Sequence, residues 1–298
     1  MGDIQPGPDI RVHSRKSETT SDKTVLGERI ALQTEPGILV PMLVLSPNQH
    51  PKQPSRIVVA VSQSGKEQFL RERCREIAEL LDKGATVCLP EVRGAGQSRG
   101  SRGELGSASY YALFFDTPLL GYRLRDFRAV LKYLRTRKDL AADGFALWGD
   151  SFAEPNPKDT DFQVPWRVNG RPRFSEPLGG LLVLLGSLYE DDVKSIYSHG
   201  ALSGFHDVLS NPYVYIPHDV VVPGALGSGD LADLAASAAP CPLRLDGVVD
   251  GMNRPLALDR VRNLYKPAFE TYQKRGAKIV LTADRSNVAH WLLYAGNK

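Results

Sequence analysis

Apolar positions along this chain switch repeatedly between two periods. Residues 29–33 and 38–45 read as two strands around the turn Glu35-Pro36-Gly37, which predicts an antiparallel opening hairpin. Arg56 to Val61 is a continuous apolar, β-branched run, as expected of a strand buried on both faces. Between Glu67 and Lys83, Leu70, Cys74, Ile77 and Leu81 fall on one helical stripe, and Gly84 ends it. Thr86–Leu89 reads as a strand, and Tyr122–Arg137 as a helix with Leu124, Phe127, Leu131 and Leu134 on one face. Phe145-Ala146-Leu147 is a further strand, and 179–189 a uniformly apolar helix. Pro242–Leu245 and Lys278–Leu281 are the last two strands, while Tyr213 and Tyr215 alternate as strand residues do. Alternating strands and helices predict an α/β fold, a mostly parallel central sheet with helices on both faces. Residues 1–24 are polar and aperiodic and read as a flexible lead-in. The remainder, 25–298, reads as one domain with an insertion at about 154–178.

Composition narrows the classes. A chain of 298 residues, 42% hydrophobic and 24% charged, buries a sizeable core without staples. A formal net charge of +3 gives no reason to expect nucleic acid or anionic lipid as partner. No apolar run approaches the roughly 18 residues of a membrane span. Met1 to Pro6 lacks the basic and apolar regions of a signal peptide; a secreted or periplasmic location stays open, since a leader can be removed. Three scattered cysteines suggest neither disulfide framework nor metal site, and Cys74 and Cys88 read as buried small hydrophobes.

The chemistry concentrates after the strand at 145–147. Gly149-Asp150-Ser151-Phe152-Ala153 has a small residue two before and two after a serine. That is the spacing of the G-x-S-x-G turn, which lifts a serine hydroxyl clear of a sheet. An acid and then a histidine should follow, each in a loop beyond a strand. Asp250 and His290 occupy those places; Asp246 and Asp219 are rival acids. Two further runs flank the serine in order. Ser62-Gln63-Ser64-Gly65-Lys66 follows the third strand, and Glu91-Val92-Arg93-Gly94-Ala95-Gly96-Gln97-Ser98 follows the fourth.

On these three runs the chain, over nearly all of 25–298, resembles the α/β-hydrolase superfamily, and within it the acetyl xylan esterase and dienelactone-hydrolase-like group. The second run matches H-x-x-G-K with Ser62 in place of His, and the third D-x-R-G-x-G-x-S with Glu91 in place of Asp. The resemblance implies a serine-dependent carboxylic-ester hydrolase, plausibly acting on acetylated carbohydrate. Ser151 would attack the carbonyl, His290 would take its proton, and Asp250 would hold the imidazole. The backbone N–H groups of Phe152 and Gln63 would receive the oxyanion. No metal or organic cofactor is implied, and the partner would be a small-molecule or carbohydrate ester. A serine peptidase and a non-catalytic hydrolase-like binding domain are the alternatives. Two departures motivate the last of these: Ser62, and the run Phe-Ala-Glu-Pro-Asn-Pro where a helix ordinarily begins. Within the insertion, Phe162 and Trp166 are either a substrate platform or fasteners of a long loop.

Overall fold

The structure is a computed structural model that describes residues 1–48, 55–100, 102–140, 142–164 and 170–296. In chain order the strands are β1 (Arg11–Thr19), β2 (Val25–Glu35), β3 (Ile38–Pro47), β4 (Ser55–Ser62), β5 (Thr86–Pro90), β6 (Ala142–Asp150), β7 (Val193–His199), β8 (Leu243–Asp246) and β9 (Ile279–Thr282). They form one sheet in the order β1-β2-β3-β5-β4-β6-β7-β8-β9, antiparallel from β1 to β5 and parallel from β5 onward. The helices are α1 (Lys66–Glu72), α2 (Cys74–Asp82), α3 (Arg102–Phe114), α4 (Leu119–Thr136), α5 (Leu178–Ser187), α6 (Phe205–Leu209), α7 (Leu231–Ser237), α8 (Leu258–Leu264), α9 (Lys266–Lys274) and α10 (Val288–Tyr294).

Strand alternation sorts the core into two layers. Ile57, Val59, Val61, Phe145, Leu147 and Ile196 face α4, α5, α7 and α9, where Leu124, Phe127, Leu181 and Tyr272 complete one cluster. Val58, Ala60, Ala146, Trp148 and Tyr197 face the other way, onto α1, α2 and α10. The predicted α/β sheet with helices on both faces is therefore what the chain builds.

Three local expectations are corrected. The polar segment before residue 25 contains β1, whose side chains are all exposed. It is held by its backbone ladder to β2 and by Arg15 against the buried Glu28, so apolar alternation gives no sign of it. The single helix expected over 67–83 is broken at Arg73, whose backbone (φ −127°) leaves the helical region. The break rotates the second half, so Phe69, Ile77, Leu80 and Leu81 are buried while Leu70 and Cys74 face solvent. Tyr213 and Tyr215 lie on a loop, not a strand.

Candidate functional site

The carboxyl ends of β4, β6 and β7 meet at one edge of the sheet. Register pairs Ser62 with Asp150 and Gly149 with Ser198, so Gln63, Ser151 and Gly200 stand side by side just beyond it. Two glycines permit this approach. A Cβ on Gly149 would lie 2.4 Å from the carbonyl oxygen of Gly179, where α5 crosses the strand. Gly200, at φ +65°, passes so close that a Cβ there would lie 2.6 Å from that of Ser151. Helix α5 thus packs where the spacing predicts, although the chain spends residues 152–177 before entering it.

Asp150 is the hub of this edge. One carboxylate oxygen accepts from Arg73 Nε at 2.7 Å and Trp148 Nε1 at 3.1 Å. The other accepts from Arg73 Nη2 at 3.0 Å, the Ser151 N–H at 2.9 Å and His199 Nδ1 at 3.0 Å. Burial pushes this carboxyl up, but hydrogen bonds from His199 and Arg73 outweigh it and hold Asp150 below its ordinary value. An ionised carboxylate only accepts, so Nδ1 of His199 carries the proton. Alternation puts this imidazole with Tyr197 on the α2 and α10 side, and its Nδ1 also lies 3.3 Å from the Ser151 carbonyl oxygen.

Ser151 is buried at 4% exposure, and its hydroxyl has no hydrogen-bond partner among the described residues. The next amide is occupied. Phe152 N–H donates to Glu176 Oε2 at 3.1 Å, while Glu176 Oε1 accepts from Ser64 Oγ at 2.6 Å. The Phe152 ring turns inward, edge-on to Phe69 at 5.2 Å and under the guanidinium of Arg73 at 4.9 Å. Gln63 is 1% exposed, and neither its Oε1 nor its Nε2 has a partner among the described residues. Leaving such groups unpaired costs roughly 1–3 kcal/mol each, so this corner is short of hydrogen bonds beside the serine. Behind it, buried Glu91 binds the Lys66 ammonium and the amides of Lys66 and Gln97, tying the two glycine-containing loops together.

Several solved structures share this architecture. A provisionally assigned acetyl xylan esterase from Bacteroides fragilis superposes with a TM-score of 0.66 at 14% identity, covering 96% of this chain and 72% of that one. An acetyl xylan esterase from Paenibacillus sp. R4 gives 0.56 at 13% identity, over 92% and 83%. A glucuronoyl esterase from Solibacter usitatus gives 0.53 at 12%, over 90% and 75%. No protein-family model and no curated protein matches the chain.

The fold is that of the α/β-hydrolases.

In an α/β-hydrolase the three catalytic side chains converge on the serine; here Ser151, Asp250 and His290 share no hydrogen bond. His290 is the third residue of α10, exposed, its ring 5.0 Å from that of Tyr294. It lies inside this helix and not in the loop beyond β9 where the sequence placed it. That loop is held instead by Arg244, which donates to the carbonyls of Asp284 at 2.6 Å and Ser286 at 2.9 Å. Asp250 is buried, its Oδ1 accepting from the amides of Met252 and Arg254, both at 2.9 Å. The turn it closes sets Asn253 in the left-handed region (φ 57°). From there Asn253 Nδ2 donates to the Glu154 carbonyl at 3.0 Å, and its own carbonyl accepts from Asn156 N–H at 2.7 Å. Asp250 therefore anchors the segment after Ser151. Of the rival acids, Asp246 is bidentate to Arg244, with burial pushing its carboxyl up. Asp219 pairs with buried Arg123 at 2.6 Å.

Phe162 is buried between Tyr215 (5.1 Å) and Tyr213 (6.2 Å), with Arg254 over its face at 4.5 Å. These three side chains pack around the ring, which is 7% exposed. Trp166 lies outside the described residues. Among the described residues no cluster of His, Cys, Asp and Glu has the makings of a metal site. Sequence reasoning missed Arg73, His199 and Glu176. One signal was available: an Asp between buried positions of a strand demands a cationic partner. Nothing local announced Glu176, which is 24 residues from the amide it occupies.

Proposed function

We propose that this chain is a hydrolase-like domain that keeps the serine of the α/β-hydrolase site without the imidazole that activates it, and that binds a polar ligand at Gln63 and Ser151 without turning over esters. One observation carries this reading. The amide that would receive the oxyanion already holds the Glu176 carboxylate, while His290 stands exposed on α10. An oxyanion approaching Phe152 N–H meets a like charge in place of a free donor. Losing one such donor alone costs about 10²–10³ in rate. Gln63 supplies the binding half: its unpaired carboxamide offers both donors and an acceptor beside the serine.

A fluorophosphonate probe tests the assignment, because it reacts with activated serines. The expected result is no labelling that Ser151→Ala removes; labelling at Ser151 overturns it.

A second reading is favoured by the unbonded Ser151 hydroxyl and by the esterases that share the fold. In it the chain is a serine-dependent carboxylic-ester hydrolase, a carbohydrate deacetylase, caught closed. Ser151 is then the nucleophile, with Asp250 and His290 brought round by movement of the segment after Ser151 and of α10. Glu176→Ala separates the two. The first reading expects no hydrolysis of p-nitrophenyl acetate after the amide is freed. Hydrolysis that appears in Glu176→Ala and disappears in the double variant with Ser151→Ala establishes the second.

A further inference from the structure

At the C-terminal end of helix α3 two small side chains face inward and the aromatic ones face out. Ser109 and Ala112 are buried, and Ser109 Oγ lies 3.0 Å from His218 Nδ1, which fastens the helix to the 3₁₀ turn His218–Val220. On the other side Tyr110, Tyr111, Phe114 and Phe115 are 56%, 62%, 70% and 75% exposed. The Tyr110 ring meets Tyr111 at 6.0 Å and Phe114 at 5.0 Å, both edge-on, so these three form one patch, with exposed Phe115 next in the chain. An ordinary surface helix has the opposite sidedness. Contiguous apolar exposure of this kind marks a contact surface.

We propose that this face is where two copies of the chain meet, α3 packing against α3 about a two-fold axis. The area suits that occupant. At about 150–250 Å² per aromatic side chain, the four leave roughly 500 Å² in water on each copy. Two copies together would bury on the order of 1,000 Å² from these rings alone, the threshold of a specific interface before any rim is counted. A helical stripe is self-complementary under two-fold rotation, so one patch supplies both halves. The charge pattern argues against an anionic membrane as the occupant. A helix lying on such lipid carries Lys and Arg on its polar side. After Arg102, its first residue, this helix and the residues up to Thr117 have neither, and Glu104 and Asp116 are both acidic.

Sedimentation velocity on the whole chain between about 1 and 100 μM tests the proposal. The expected result is a dimer with a micromolar dissociation constant. Phe114→Glu should weaken it about 100-fold or more, since it places a charge in both halves of the aromatic centre. Tyr111→Ser should weaken it to a lesser degree, and Phe114→Tyr should leave it intact. Neither weakening variant should lower the melting temperature of the monomer, because both side chains are solvent-exposed there. A wild-type chain that stays monomeric throughout this range overturns the proposal, as does a dimer that Phe114→Glu leaves unchanged. A monomer that pellets with phosphatidylcholine–phosphatidylglycerol vesicles through the same residues assigns the face to a membrane and also overturns it.

Discussion

The carboxyl ends of β6 and β9 open onto the same edge of one sheet, and the chain treats them in opposite ways. At the end of β6, Gly149, Asp150 and Ser151 are each locked: by the crossing of α5, by five hydrogen bonds to one carboxylate, and by the close pass of Gly200. Beyond β9, residues 283–287 are largely exposed, held by two carbonyl bonds to Arg244, and the histidine that follows faces water. The difference teaches that a nucleophile turn can persist for packing reasons alone. Its glycines and its aspartate have structural work whether or not the hydroxyl reacts. A base gains no such support: it belongs at the serine only for the chemistry.

The largest expected effect breaks the comparison at the β6 end. Asp150→Ala leaves Arg73 buried without its partner and should destabilise the fold by about 3–5 kcal/mol in urea unfolding. His290→Ala, at an exposed position, should shift the same midpoint by less than about 0.5 kcal/mol. Equal effects would show that the two ends do not differ as described.

Acid sharpens the same contrast. Asp150 is depressed on folding, so its stabilisation is fully present above the unfolded value of 3.8 and lost as pH falls through the lower folded one. Urea midpoints of wild type and Asp150→Asn should therefore converge as pH drops below roughly 4, the wild type losing more. Parallel curves would remove Asp150 from the acid response. The smallest effect concerns thiols. Burial pushes Cys88 and Cys241 up to about 12, whereas Cys74 is exposed. Iodoacetamide at neutral pH should label Cys74 in the folded chain and spare the other two until urea is added, as read by mass spectrometry.

What could be read from the sequence follows the same divide. The β2–β3 hairpin, β4, the α4 stripe and the helix after the insertion were legible because each buries a local periodic pattern. So was the serine turn, whose glycine and serine lie within three residues. Strand β1 was hidden because its side chains all face solvent. The α1–α2 break was hidden because Arg73 leaves the helix to meet Asp150, 77 residues away. At the site, Asp250 lies in the expected loop, and its Oδ1 also closes its own turn, which the sequence did not announce. His290 satisfied the order of residues along the chain, while the start of α10 at Val288 was hidden because no long stripe marks so short a helix.

Hydrolysis of p-nitrophenyl acetate, butyrate and octanoate by wild type and Ser151→Ala, side by side and with folding verified, tests the central claim most directly. The account predicts no turnover that depends on Ser151 at any chain length. Acetate hydrolysis by the wild type that vanishes in Ser151→Ala would contradict it and return the site to a working serine esterase.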